Sequence, residues 1–133
     1  QQMLYHHGNG TTGMNLYIND NVLVAGLYKS GASDFISTTR IEFGKWHQVV
    51  LVYDSNAASD TNTFRAFLDG VEFITEGQGS NATFEATNDG LHLGALIGAS
   101  NLNGSVVSTT GSYFTGKLTR FRLWNRALDT NEI

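Results

Sequence analysis

Histidine, carboxylate and amide side chains are the groups in this sequence that could do chemistry. The four histidines are His6, His7, His47 and His92. His6 and His7 are adjacent, so on a strand they point to opposite faces and cannot share one ion without a bend. No His-x-His or His-Glu-x-x-His spacing occurs, so an imidazole-held metal is not expected. The Gly-x-Ser-x-Gly turn that would present a serine nucleophile is missing as well. With no cysteine, thiol chemistry, disulfides and cysteine-held metals are excluded. Hard oxygen donors are better represented. Asp54, Asn56, Asp60 and Asn62 gather in one polar run, with Asn88 and Asp89 further on. Carboxylate and amide oxygens in loops are what Ca2+ takes, and Asp54, Asp60 and Asn62 are the first-choice set. Asx-rich loops are equally how a β protein makes its turns.

The elements that must hold these groups are short strands. No stretch of useful length has helical periodicity; apolar residues alternate or come in short runs between turn formers. Residues 14–18 and 22–28 flank Asn19-Asp20-Asn21, a turn tripeptide tolerant of left-handed backbone. A strand over 35–43 ends at Gly44, and WHQVVLVYD at 46–54 is the strongest strand, rich in β-branched and aromatic residues. Residues 55–63 read as loop, and FRAFLDGVEF at 64–73 as a hairpin with Asp69-Gly70 in a primed turn. Strands over 90–98 and 114–124 enclose a long loop at 100–112. The tail RALDTNEI reads as one helical turn capped by Asp129 or Thr130.

Seven or eight strands with turns every ~8–12 residues predict an antiparallel sandwich or barrel. The 133 residues suffice for one domain with a real core. Only 15% of residues are charged, the net charge is −4, and no basic stripe exists, which argues against nucleic acid. No run approaches the ~20 apolar residues of a membrane span, so membrane insertion is not expected.

Pleat alternation gives a candidate binding face. If Leu118, Phe121 and Leu123 face the core, with a bulge at Thr119–Arg120, then Arg122 and Trp124 point the other way. By the same reasoning Phe67 opposes Phe64, Ala66 and Leu68, Tyr17 opposes Leu16 and Ile18, and His92 opposes Leu91 and Leu93. Tyr17, Phe67, His92, Arg122 and Trp124 then share one exposed sheet face, suited to sugars through aromatic stacking and directional hydrogen bonds. The competing reading has these aromatics sealing the face against flanking loops. Trp46, at the start of the strongest strand, is expected in the core.

With the elements in place, the sequence resembles the laminin G-like branch of the concanavalin A-like lectin/glucanase superfamily, in the form found in bacterial secreted proteins. The resemblance is carried by Gly44-Lys45-Trp46-His47 leading into VVLVYD, by the FRAFLDGVEF hairpin, and by Phe114, Thr115, Gly116, Lys117 and Leu118 running through RFRLWNRAL to Asn131-Glu132-Ile133. A weaker match is LYHHGNGTTGMNLYI, and together these span nearly the whole chain. The resemblance implies an all-β, antiparallel two-sheet jelly-roll sandwich (concanavalin A-like), with one or two N-terminal strands lacking here. It also implies a domain that binds glycans or proteins, often with Ca2+, and is rarely catalytic. Where the family carries acids after Gly-x-aliphatic, this sequence has Thr119 and Arg120, which offer no carboxylate to a cation. The superfamily's glucanases pair two acids two residues apart on a strand, one to protonate the leaving oxygen and one to attack or activate water. None of the twelve acids here is so paired.

The expectation is therefore a non-catalytic extracellular module for carbohydrate, secreted or on a bacterial cell surface. Its partners would be a glycan or protein on a cell surface and other domains of the same longer chain. The alternative is a structural or adhesive protein–protein domain of a large surface or virion assembly, and a glycoside hydrolase ranks third.

Overall fold

The computed structural model describes residues 1–29, 32–57, 63–73, 75–76, 84 and 89–133. The strands are β1 (Gln2–Gly8), β2 (Gly13–Asn19), β3 (Val22–Lys29), β4 (Ala32–Arg40), β5 (Val49–Tyr53), β6 (Phe64–Leu68), β7 (Val71–Phe73), β8 (Thr75–Glu76), β9 (Leu91–Leu93), β10 (Ser100–Leu102) and β11 (Ser105–Val107). A 3-10 turn at Thr130–Glu132 closes the chain. Among the described residues the strands form a six-stranded sheet in the order β8-β4-β3-β2-β1-β9, a three-stranded sheet β5-β6-β7 and the β10-β11 hairpin. The pairings are antiparallel throughout.

Turn chemistry sets these registers. Asn19 pairs with Val22, leaving Asp20-Asn21 as a two-residue turn with Asp20 at φ +55°. Asp69 and Gly70 take φ +52° and +80°, the primed geometry that follows strand twist and that the dipeptide predicts. Asn103-Gly104 does the same at +52° and +83°. The stretch from 100, expected as loop, therefore opens as a hairpin. At the tail, Asp129 is the cap: its Oδ1 accepts the Asn131 N–H at 2.8 Å, and Glu132 answers by accepting the Asp129 N–H at 3.0 Å.

The six-stranded sheet is covered on both faces. One face supplies Leu4, Met14, Leu16, Ile18, Leu23, Ala25 and Leu27, which pack against Phe64, Ala66 and Phe73 of the three-stranded sheet. The other face supplies Met3, Tyr17 and Val24, sealed by Leu96 and by Leu102 of the hairpin. This double cover is why every residue of β2 from Gly13 to Ile18 is buried.

Two further sequence expectations are corrected. Residues 114–124 form no strand: Leu118, Phe121 and Leu123 are 51%, 49% and 68% exposed instead of core. Their alternation is real, but a strand needs a partner edge, and this segment instead leaves the sheet at Ser112–Phe114. There the Met3 N–H bonds Ser112 O and the Phe114 N–H bonds Gly94 O. Trp46 is likewise 65% exposed, because β5 begins only at Val49 and the tryptophan stays in the preceding loop.

Candidate functional site

Of the proposed open face, two members are closed off. Tyr17 is 2% exposed beneath Leu96 and Leu102, and Phe67 is fully buried with the Arg65 guanidinium 5.4 Å from its ring centre. Both side chains stand on the side of their strands opposite Leu16 and Ile18 and opposite Phe64 and Ala66, as pleat alternation predicts. What it could not see was the cover. Tyr17 lies on the hairpin side of the six-stranded sheet and Phe67 on the three-stranded sheet, turned away from Phe64 and Ala66, so the two do not share one face. Burial pushes the Tyr17 hydroxyl pKa up to about 12.

His92 belongs to a different element from Arg122 and Trp124. His92 lies on edge strand β9 opposite His6, on the hairpin side of the sheet. Arg122 and Trp124 belong to the outer segment, which is fixed where Phe121 stacks on Tyr5 with ring centres 6.2 Å apart. Tyr5 packs with the other face. Arg122 and the half-exposed Trp124 remain open to solvent. Of the calcium set the structure describes Asp54; Asp60 and Asn62 lie outside the described residues. One oxygen of Asp54 is engaged in its own turn, accepting the Asn56 N–H at 2.9 Å. Among the described residues no three His, Asp or Glu side chains converge on one point.

The most organised polar cluster was not anticipated. His92 pairs with His6, His6 with Asn15 and Asn15 with Gly26, so one row crosses four strands on the hairpin side. His6 and Asn15 are 0% and 1% exposed. Tyr28 closes the row from above. Its hydroxyl lies 2.7 Å from Asn9 O, 3.2 Å from His6 Nε2 and 3.2 Å from Ser100 Oγ. The Asn15 amide donates to Ser100 Oγ at 3.0 Å and to Asn101 O at 2.7 Å, tying the sheet to the hairpin. Protonation states follow by elimination. Asn9 O can only accept, so the single tyrosine proton goes there, and the lone pairs of Tyr28 Oη are left for the donors around it: His6 Nε2–H, the Ser100 hydroxyl and the Asn101 N–H. His6 is thus the neutral Nε2–H tautomer, with a buried Nδ1 lone pair that has no partner. Burial first, then His92 and His7, push its pKa down to about 4, against a smaller upward pull from Asp89. The signal available in the sequence was a polar His6 and Asn15 at inward positions, together with the Asn103-Gly104 turn.

A second organised feature braces the loop carrying Phe43 and Trp46, which are 64% and 65% exposed. His47 Nδ1 lies 2.7 Å from Asp69 Oδ2 and its Nε2 lies 2.8 Å from Glu42 O, while the Gln48 N–H bonds Asp69 Oδ1 at 2.8 Å. Both ring nitrogens face acceptors, an arrangement only the imidazolium satisfies fully. The Asp69 hydrogen bond, then the Glu42 carbonyl, raise the His47 pKa accordingly. Raised in the folded state, this group contributes stability in full below about 6.5, the unfolded value, and loses it as pH climbs through the folded pKa. Asp69→Asn keeps a residue tolerant of φ +52° and removes the charge. The His47 NMR titration midpoint is expected to fall toward the unperturbed value; an unmoved midpoint would refute the brace.

Compared with known protein families, residues 1–133 are matched throughout by a laminin G-type model described as the concanavalin A-like lectin/glucanases superfamily. No curated protein and no solved structure matches the chain.

Proposed function

Because the chain belongs to the concanavalin A-like lectin/glucanase superfamily, in its laminin G-like branch, we propose that it is a non-catalytic module that recognises carbohydrate. The observation that carries this reading is the exposed Arg122–Trp124 step. Trp124 is 49% exposed, a flat apolar ring for sugar C–H groups, and the neighbouring exposed Arg122 adds a planar set of hydrogen-bond donors. Two of the four histidines are engaged in structure: His6 in the Tyr28 network and His47 between Asp69 and Glu42. The neutral polar composition and the lack of cysteine suit a bacterial surface or secreted protein, and the module would sit there beside other domains of a longer chain.

A glycan array, with and without calcium, tests the reading; no bound glycan in either condition would sink it. Trp124→Ala and Arg122→Ala are each expected to weaken binding about tenfold or more, about 1.4 kcal/mol, with the urea unfolding midpoint unchanged. Unaltered affinity in both would move the site elsewhere. One observation favours a second reading, adhesion to another protein. Leu118, Phe121, Leu123 and Trp124 all stand at least 49% exposed within one short segment, an apolar run of the kind that marks protein contacts.

A further inference from the structure

We propose that the β10–β11 hairpin is an acid-released strap, held down on the six-stranded sheet by the buried Asn15–Ser100–Tyr28–His6 network. Among the described strands, the ladder of the hairpin runs between its own two arms. Among the described residues its hold on the sheet includes the apolar contact of Leu102 and Val107 with Met3, Tyr17 and Val24, the polar bonds at Ser100 and Asn101, and the Asn101 N–H at Tyr28. No ladder joins it to β2 or β3, so it can lift without breaking the sheet.

His6 is where acid acts. In the neutral state its Nε2–H serves Tyr28, and Nδ1 faces no donor. A second proton can add only at Nδ1, which creates a buried N–H cation at a nitrogen that has no partner among the described residues. The charged and titratable groups that face it come from each packed element. His92 on β9 is stacked at 6.1 Å and 12°, and His7 adjoins it on its own strand; both oppose the new charge. Asp89, ahead of β9, favours the new charge but is already held by the Asn9 amide at 3.0 Å. From β2 and β3 the neighbours are Asn15 and neutral Tyr28, whose own pKa is raised by burial. Water is the missing acceptor, and lifting the hairpin admits it. An opening step that takes up one proton grows about tenfold per pH unit between the freed and the buried imidazole values. With those at 6.5 and about 4, the gain is on the order of a hundredfold.

Amide hydrogen exchange of the whole chain, normalised to intrinsic rates, tests this between pH 7 and pH 4. Protection in Ser100–Val107 is expected to drop on the order of a hundredfold while β2 and β3 keep theirs. His6→Gln can still offer Tyr28 an N–H but cannot titrate, and its hairpin protection is expected to stay flat. The proposal is overturned if the hairpin and β2–β3 lose protection together, or if the drop persists in His6→Gln. Should that variant fail to fold, an NMR titration of wild-type His6 decides: the ring gaining its proton with no change in the hairpin amides overturns the strap.

Discussion

Phe64→Ala is expected to lower the unfolding free energy by about 3–5 kcal/mol, the range for emptying a large aromatic site in a packed core. Phe64 is fully buried and sits in the cluster where the three-stranded sheet meets Leu16, Ile18, Leu23 and Leu27 of the larger one. Removing the ring leaves a void between two sheets held apart by their own backbones, so the space cannot collapse cheaply. Single domains hold only about 5–15 kcal/mol in total, so the variant should lie near the edge of folding. Urea unfolding followed by far-UV circular dichroism measures it. A loss below about 1 kcal/mol would mean that the two sheets do not share one core.

Gly13→Ala should be nearly as severe, for a different reason. A β-carbon at residue 13 would stand 2.6 Å from His7 O and 2.6 Å from the Tyr28 hydroxyl. The first is backbone paired across the β1–β2 ladder and cannot retreat. The tyrosine must swing away, which breaks its bonds to Asn9, His6 and Ser100 together. Overpacking costs about 1–3 kcal/mol, and buried polar groups left unpaired add a similar amount. A total on the order of 3 kcal/mol is expected in urea unfolding, with lost amide protection across Ser100–Val107. A variant as stable as the parent would show that the Tyr28 ring does not pack over Gly13.

Local chemistry was legible in the sequence wherever it is decided locally. Asp69-Gly70 and Asn19-Asp20-Asn21 place two hairpins correctly because a two-residue turn is set by which residues accept positive φ. The same signal at Asn103-Gly104 is masked, since only three residues on each side are strand and the surrounding stretch is rich in Ser, Thr, Asn and Gly. Alternation at Tyr17 and Phe67 gave the correct side of each strand. Whether that side meets water depends on residues 96–107 and on Arg65, which no local pattern reveals. The segment 114–124 shows the reverse error. Its period suits a strand, but pairing is a property of two segments, and Leu118 and Leu123 end exposed. The His6–Asn15–Tyr28–Ser100 network was hardest to foresee, since its bonds reach across as many as 85 residues and form one network only after the sheet and hairpin meet.

That separation also orders the assembly in time. Strands β1 to β4 are sequence neighbours paired in succession, so their ladders close small loops and can zip quickly. The bonds from Asn15 and Tyr28 to the hairpin span 72 to 86 residues and must await the encounter of chain ends already partly folded. His6, Asn15 and Tyr28 are therefore laid out while still wet, and their last waters are expelled only when the hairpin settles. A hydrated polar row is less prone to recruit a wrong strand during that interval, and His6, Asn15 and Tyr28 supply one beside the apolar Met3, Tyr17 and Val24 of the same late-closing face.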